Sequence, residues 1–280
     1  MGERITIVEK DGLRFDIRDD GPIDGEPIVL LHGFPQDSRS WDAVAPRLHA
    51  AGYRTFAPDQ RGYSPGARPR RRRDYRLRHL VDDVAALIDV VPGKNVHVVG
   101  HDWGAIVAWG LATRRAELVR TVTAVSVPHP AAFLRAFGTS LQLLRSWYML
   151  AFQVPWIPEI LLSNEALGRS VLRRTGQPAE AAERDSARMA DPDAVRGGVN
   201  WYRAVPFVDP RAILEPVRVP TLMVWSNGDV AIGPAGVAAT HRYVSGPYRV
   251  ETLAGVSHWI PDEEPDELAR LVLEHVAAHG

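Results

Sequence analysis

Three residues, taken in chain order, have the types and positions for covalent catalysis: Asp102, Asp229 and His258. Asp102 is the centre of Gly100-His101-Asp102-Trp103-Gly104, between the apolar run 95–99 and a helical pattern that starts at Ala105. Glycines two places either side of a central residue, at a strand-to-helix junction, mark a sharp turn that exposes the middle side chain. A carboxylate at that point is ionised at neutral pH, with an unperturbed pKa of about 3.9, so it can attack without a base. If it attacks a saturated carbon it leaves an ester, which water can cleave; a serine would leave an ether, which water does not. Alone, Asp102 reads equally well as an ordinary helix N-cap. The downstream residues tip the balance. Asp229 closes Trp225-Ser226-Asn227-Gly228-Asp229 just after a strand-like run, and His258 lies in Gly255-Val256-Ser257-His258-Trp259 before the last helix. The chain has ten histidines, and His258 is singled out because it alone lies in the loop after the final strand. An acid that orients a histidine, placed after a nucleophile in that order, is the equipment for hydrolysing an ester.

The one literal Gly-x-Ser-x-Gly, Gly62-Tyr63-Ser64-Pro65-Gly66, is a decoy. The residue after a nucleophile must offer its backbone N–H, and proline has none. Ser64 therefore reads as a turn residue. His32 and His101 read as structural, with His32 hydrogen-bonded to shape a tight loop.

The elements that must position these residues follow from periodicity. Strand patterns at 5–9 and 13–18 flank Asp11-Gly12, a hairpin signal. Further strands are expected at 27–31, 53–57, 95–99, 119–125, 220–224 and 248–252, with helices at 77–91, 105–118 and 264–277. Near-continuous apolar strands alternating with helices predict an α/β fold, a mostly parallel sheet covered by helices on both faces. That alternation stops over 130–216, which is helical, aromatic and punctuated by prolines, Pro210 among them. The expected division is a core over 1–129, a helical insertion or lid over 130–216, and a second core part over 217–280. The basic run Ala67-Arg68-Pro69-Arg70-Arg71-Arg72-Arg73 is read as a solvated loop.

Composition narrows the function. The 280 residues contain no cysteine, which excludes disulfides, thiolate catalysis and Cys-ligated zinc. A net charge of −1 gives no global attraction to nucleic acid or to an anionic membrane. The start, Met1-Gly2-Glu3-Arg4-Ile5, does not read as a secretory signal, and no apolar run reaches the roughly 18 residues that cross a bilayer. A soluble cytoplasmic enzyme is expected, without nucleic-acid or membrane partners; the sequence carries no sign of its oligomeric state.

These motifs resemble those of soluble epoxide hydrolases of the α/β-hydrolase fold. The core resemblance rests on His32-Gly33-Phe34-Pro35, Asp59-Gln60-Arg61-Gly62-Tyr63, Gly100-His101-Asp102-Trp103-Gly104, Asp229 and His258-Trp259. Haloalkane and fluoroacetate dehalogenases share those features. Within the insertion, Trp147-Tyr148-Met149-Leu150-Ala151-Phe152-Gln153-Val154-Pro155 and Asn200-Trp201-Tyr202-Arg203 are similar to the two lid motifs of epoxide hydrolases. The resemblance implies Tyr148 and Tyr202 as acids for an epoxide oxygen, Asp102 as nucleophile, and His258 with Asp229 as the water-activating pair. It implies an oxyanion hole from the backbone N–H groups of Phe34 and Trp103. The substrates would be a small-molecule epoxide and water, with no metal or cofactor. A haloalkane dehalogenase is the nearest rival, with Trp103 as one halide donor, although Phe34 stands where that family often has asparagine. A fluoroacetate dehalogenase would be expected to carry arginine at 103. A non-catalytic receptor on the same fold would be expected to discard part of the triad, whereas this chain keeps all of it.

Overall fold

The computed structural model describes residues 3–93, 95–209 and 214–280; the proline expected as punctuation at 210 lies outside them. Among the described residues the chain opens with β1 (Ile7–Lys10) and β2 (Leu13–Asp20), an antiparallel hairpin. Asp11 and Gly12 both take positive φ (52° and 75°), the backbone that a two-residue turn needs to match strand twist. After β3 (Glu26–Leu31), α1 (Ala45–Ala50) and β4 (Tyr53–Pro58) come α2 (Leu77–Val90), β5 (Val96–His101), α3 (Trp103–Arg114) and β6 (Val119–Val125).

Among the described residues seven α-helices then intervene before the sheet resumes: α4 (Pro130–Thr139), α5 (Gln142–Arg145), α6 (Trp147–Ala151), α7 (Ile157–Leu162), α8 (Glu165–Arg174), α9 (Ala179–Met189) and α10 (Pro192–Ala204). The chain closes with β7 (Thr221–Ser226), α11 (Pro234–Ala239), β8 (Tyr248–Leu253), α12 (Ile260–Glu263) and α13 (Pro265–His279).

The eight strands form one sheet in the order β1-β2-β4-β3-β5-β6-β7-β8. Among the described residues all pairings from β4 to β8 are parallel, and only β1–β2 and β2–β4 are antiparallel. The two-residue period of a strand splits its side chains between two cores. Val29, Leu31, Val98 and Val122 pack with α2 and α3 on one face, while Ile28, Leu30, Val99 and Leu222 pack with α1 and α13 on the other. Burial on both sides is why β3, β5, β6 and β7 read as largely apolar runs, with His97 and Arg120 among the exceptions. β8 departs from that pattern: it is the edge strand and half exposed, so it tolerates Arg249 and Glu251.

The boundaries differ from the periodicity where caps and turns decide them. The first strand starts at Ile7 and not at residue 5. β5 extends through His101, so the strand runs straight into the Asp102 turn. α3 begins two residues earlier than the apolar pattern and stops at Arg114, its last expected turn becoming a separate 3-10 turn over Ala116–Leu118. Neither α1 nor α11 is evident in the periodicity, since six residues are too few to show a 3.6-residue repeat.

The basic run is exposed from Arg70 to Arg73, while Arg68 reaches Asp191, the N-cap of α10, at 2.6 Å. Ser64 is fully buried: its hydroxyl donates to the Asp59 carbonyl at 2.6 Å and accepts the Asp16 N–H at 2.9 Å.

α10 contains two adjacent glycines, each costing a helix about 1 kcal/mol relative to alanine. They are there for contact. A Cβ on Gly197 would lie 2.2 Å from the Gly62 carbonyl oxygen, and one on Gly198 2.8 Å from the Phe34 ring. The helix thereby seats directly on the loops that follow β3 and β4, and Trp201 fixes it by donating its indole N–H to the Arg61 carbonyl at 2.7 Å.

Candidate active site

Asp102 stands between β5 and α3 with φ 51° and ψ −118°, a conformation that costs a non-glycine residue on the order of 1–3 kcal/mol. The flanking glycines make so tight a turn possible. A Cβ on Gly100 would meet the Gly104 carbonyl oxygen at 2.3 Å, and one on Gly104 would meet that of Leu31 at 2.1 Å. Although Asp102 occupies the N-cap position of α3, its carboxylate makes no capping bond to that helix. Oδ1 instead accepts the backbone N–H of Phe34 at 2.8 Å, and Oδ2 lies 3.5 Å from His258 Nε2. The carboxylate is turned toward Phe34 and His258 and away from its own helix.

His258 is buried between two carboxylates. Its Nδ1 lies 2.7 Å from Asp229 Oδ2, while Asp229 Oδ1 accepts the N–H groups of Ala231 (2.7 Å) and Ile232 (2.9 Å). Burial opposes charge on the imidazole, but Asp229 and Asp102 prevail and raise its pKa to about 10. Burial likewise opposes the charge of Asp102, and His258, aided by the Phe34 N–H, outweighs it and holds the carboxyl below its usual range. These shifts favour an imidazolium at His258 beside an ionised Asp102.

The loop bearing His258 is pinned from beneath. His101 Nε2 and the Ser126 hydroxyl both reach the His258 carbonyl at 2.9 Å. Burial lowers the His101 pKa to about 4, so it is neutral and donates Nε2–H. His32 shapes the neighbouring loop: Nδ1 meets the Gly33 carbonyl at 3.1 Å and Nε2 accepts the Gln60 N–H at 3.1 Å.

Across from Asp102, α6 brings Tyr148 and α10 brings Tyr202, their rings 5.9 Å apart. Tyr202 is held edge-on by Trp103 (5.1 Å), Phe34 (5.3 Å) and Phe152 (4.9 Å). Burial, followed by the charge of Asp102, raises both phenol pKa values, so both carry their protons at neutral pH. Asp102, Trp103, Tyr148 and Tyr202 line one cavity of about 320 Å³, whose other walls include Leu77, Ile106, Phe133 and Phe137. Such a site binds an apolar body and offers polar groups at one end. Ser64 has no part in this cavity's lining.

Sequence reasoning missed the clamp on the acid loop. From α5, Gln142 accepts the Gly233 N–H at 2.7 Å and donates to the Ala231 carbonyl at 2.7 Å, and Arg145 donates to the Asp229 carbonyl at 2.9 Å. The one available signal was a polar Gln142 among leucines, which is buried when its neighbours Leu141 and Leu143 are not.

Comparison with known proteins points the same way. A family model described as alpha/beta hydrolase fold matches residues 26–265. The chain is 33% identical to AB hydrolase superfamily protein YfhM of Bacillus subtilis, covering 98% of each chain. It is 33% identical to Epoxide hydrolase 3 of Xenopus tropicalis, over 97% of this chain and 77% of the relative. The crystal structure of the Vigna radiata epoxide hydrolase VrEH1 superposes with a TM-score of 0.84 at 27% identity, over 99% of this chain and 98% of that one.

Proposed function

Because the chain belongs to the epoxide hydrolases of the α/β-hydrolase fold, we propose that it opens an epoxide through an ester on Asp102 and releases a vicinal diol. One observation carries this reading: an ionised carboxylate faces two protonated phenols across a single apolar cavity. A departing halide needs no proton, whereas an epoxide oxygen leaving as alkoxide does. Residues 130–216 serve as the lid that supplies the phenols, with 1–129 and 217–280 as the core beneath.

Asp102 Oδ2, the oxygen not held by Phe34, attacks the epoxide carbon, and the ring C–O bond breaks as Tyr148 and Tyr202 hold and protonate its oxygen. The proton returns to the phenol from the His258 imidazolium, and esterification has removed one of the two carboxylates that kept His258 charged. Neutral His258, oriented by Asp229, then takes a proton from water, which attacks the Asp102 carbonyl. Oδ1 stays at the Phe34 N–H; Trp103, first residue of α3, supplies an N–H with no partner in its own helix. Collapse releases the diol and restores the carboxylate and imidazolium, so atoms and protons balance.

The test is a single turnover in ¹⁸O-water with enzyme in excess. Label is expected in Asp102 and absent from the diol, since the new diol oxygen is the carboxylate's own. Label in the first-turnover diol would mean that water attacked the epoxide directly.

The charge states also fix a pH signature. Alkylation needs ionised Asp102, whose pKa is lowered, and protonated phenols, whose pKa values are raised, so kcat/KM is expected to stay flat from about pH 5 to 9. Hydrolysis needs neutral His258 in the ester, where loss of the Asp102 charge brings its pKa down from about 10. kcat alone should therefore fall on the acid side. An equal acid limb in both parameters would contradict the resting imidazolium.

A further inference from the structure

Thirteen of the eighteen large apolar side chains exposed among the described residues lie between Leu134 and Val171, on α4 to α8 and their connections. A concentration of that kind on one face marks a docking surface and not the scattered apolar exposure of any protein. Along α5 and α6, Leu143, Trp147 and Leu150 recur at three- and four-residue steps and point outward. Trp156 and Ile160 extend the face onto α7. Trp156 is 75% exposed and sits in the left-handed backbone region (φ 64°), a strained placement that no burial of its ring offsets.

The charge on this face identifies its partner. Residues 130–174 hold five arginines against Glu159 and Glu165, in a chain whose net charge is −1. Arg145 turns inward to the Asp229 carbonyl and Arg169 lies 4.0 Å from Glu183, which leaves Arg135, Arg173 and Arg174 as the outward cations. Arg203 ties Glu159 inward at 2.5 Å, which leaves the face more positive still. A second copy would bring like charge against like charge across a two-fold axis. We propose that this face docks on an anionic lipid surface, its tryptophans and leucines entering the headgroup boundary and its arginines meeting the phosphates. The near-neutral global charge conceals this local asymmetry. No helix among the described residues is long and apolar enough to cross a membrane, so contact is at the surface.

The placement has a consequence for substrate, which rests on the epoxide hydrolase reading. α6 turns Trp147 and Leu150 outward while Tyr148 and Met149 line the cavity, and Leu134 is both exposed and part of the cavity wall. An epoxide dissolved in the lipid would enter from the docked face, which favours long apolar substrates carried by membranes.

The experiment floats purified protein with vesicles of phosphatidylcholine, alone or mixed with phosphatidylglycerol, and no epoxide present. Wild type is expected to rise with the mixed vesicles and to be released as salt increases. The triple variant Leu144→Ser/Trp156→Asn/Ile160→Ser should bind about tenfold more weakly or worse. Asparagine tolerates the backbone at 156, and none of the three residues lines the cavity, so diol formation from a small water-soluble epoxide should stay within about twofold. Should that variant misfold, Arg135→Gln/Arg173→Gln/Arg174→Gln carries the same test through charge. Wild type that stays down with both vesicles, or variants that float equally well, would overturn the proposal. So would a wild-type dimer in sedimentation velocity that the triple variant dissolves while neither binds vesicles, since the face would then belong to a second copy. Because flotation is scored without substrate, a protein that floats yet makes no diol loses only the functional reading.

Discussion

His258→Gln is expected to open its epoxide once and then stop. In the proposed mechanism alkylation draws on Asp102 and the two phenols, which the substitution leaves in place, and hydrolysis draws on a base that glutamine cannot supply. Brief exposure to a simple epoxide should raise the intact mass by the mass of that epoxide, and peptide mapping should put the increase on Asp102. Steady-state diol formation should fall by roughly 10²–10⁴, the usual contribution of a positioned general base. The fold should tolerate the change, because the carbonyl gripped by His101 and Ser126 belongs to the backbone. Asp102→Ala should abolish both adduct and diol. A His258→Gln protein with no adduct, yet with slow diol formation, would remove the ester from the mechanism.

The second large effect is expected at the phenols. Tyr148→Phe or Tyr202→Phe removes one hydroxyl and keeps the ring that packs against Phe152, so stability should hold while ring opening slows. If both hydroxyls grip one oxygen, each compensates in part for loss of the other. Single variants should then lose about tenfold each and the double variant about a thousandfold or more, beyond the product of its parts. The loss should appear in the alkylation half-reaction under single-turnover conditions. A double variant near the wild-type rate would show that the epoxide oxygen is protonated by some other group.

Much of this site was legible before folding, for identifiable reasons. The Gly100-x-Asp102-x-Gly104 spacing is readable because no side chain fits where Gly100 meets Gly104 or where Gly104 meets Leu31. Pro65 ruled out Ser64 because a missing N–H is a property of the residue and not of its surroundings. The parallel sheet was readable because strands buried on both faces are mostly apolar, and β8 escaped that pattern because an edge needs cover on fewer sides.

What the sequence by itself determined is the set of candidate residues for the chemistry, and the strand-and-helix order that carries them. Only the tertiary structure decided that Asp102 accepts from Phe34 and not from its own helix, that His258 is buried between Asp229 and Asp102, which raise its pKa, and that Gln142 and Arg145 clamp the acid loop from α5. It also decided which stripe of α5 to α7 stays bare. The physical reason is one of range. Turn geometry, periodicity and the absence of an N–H act between neighbours in the chain. A carboxylate's partner or a helix's uncovered face depends on groups scores of residues away, which meet only when the sheet and its helices close around them.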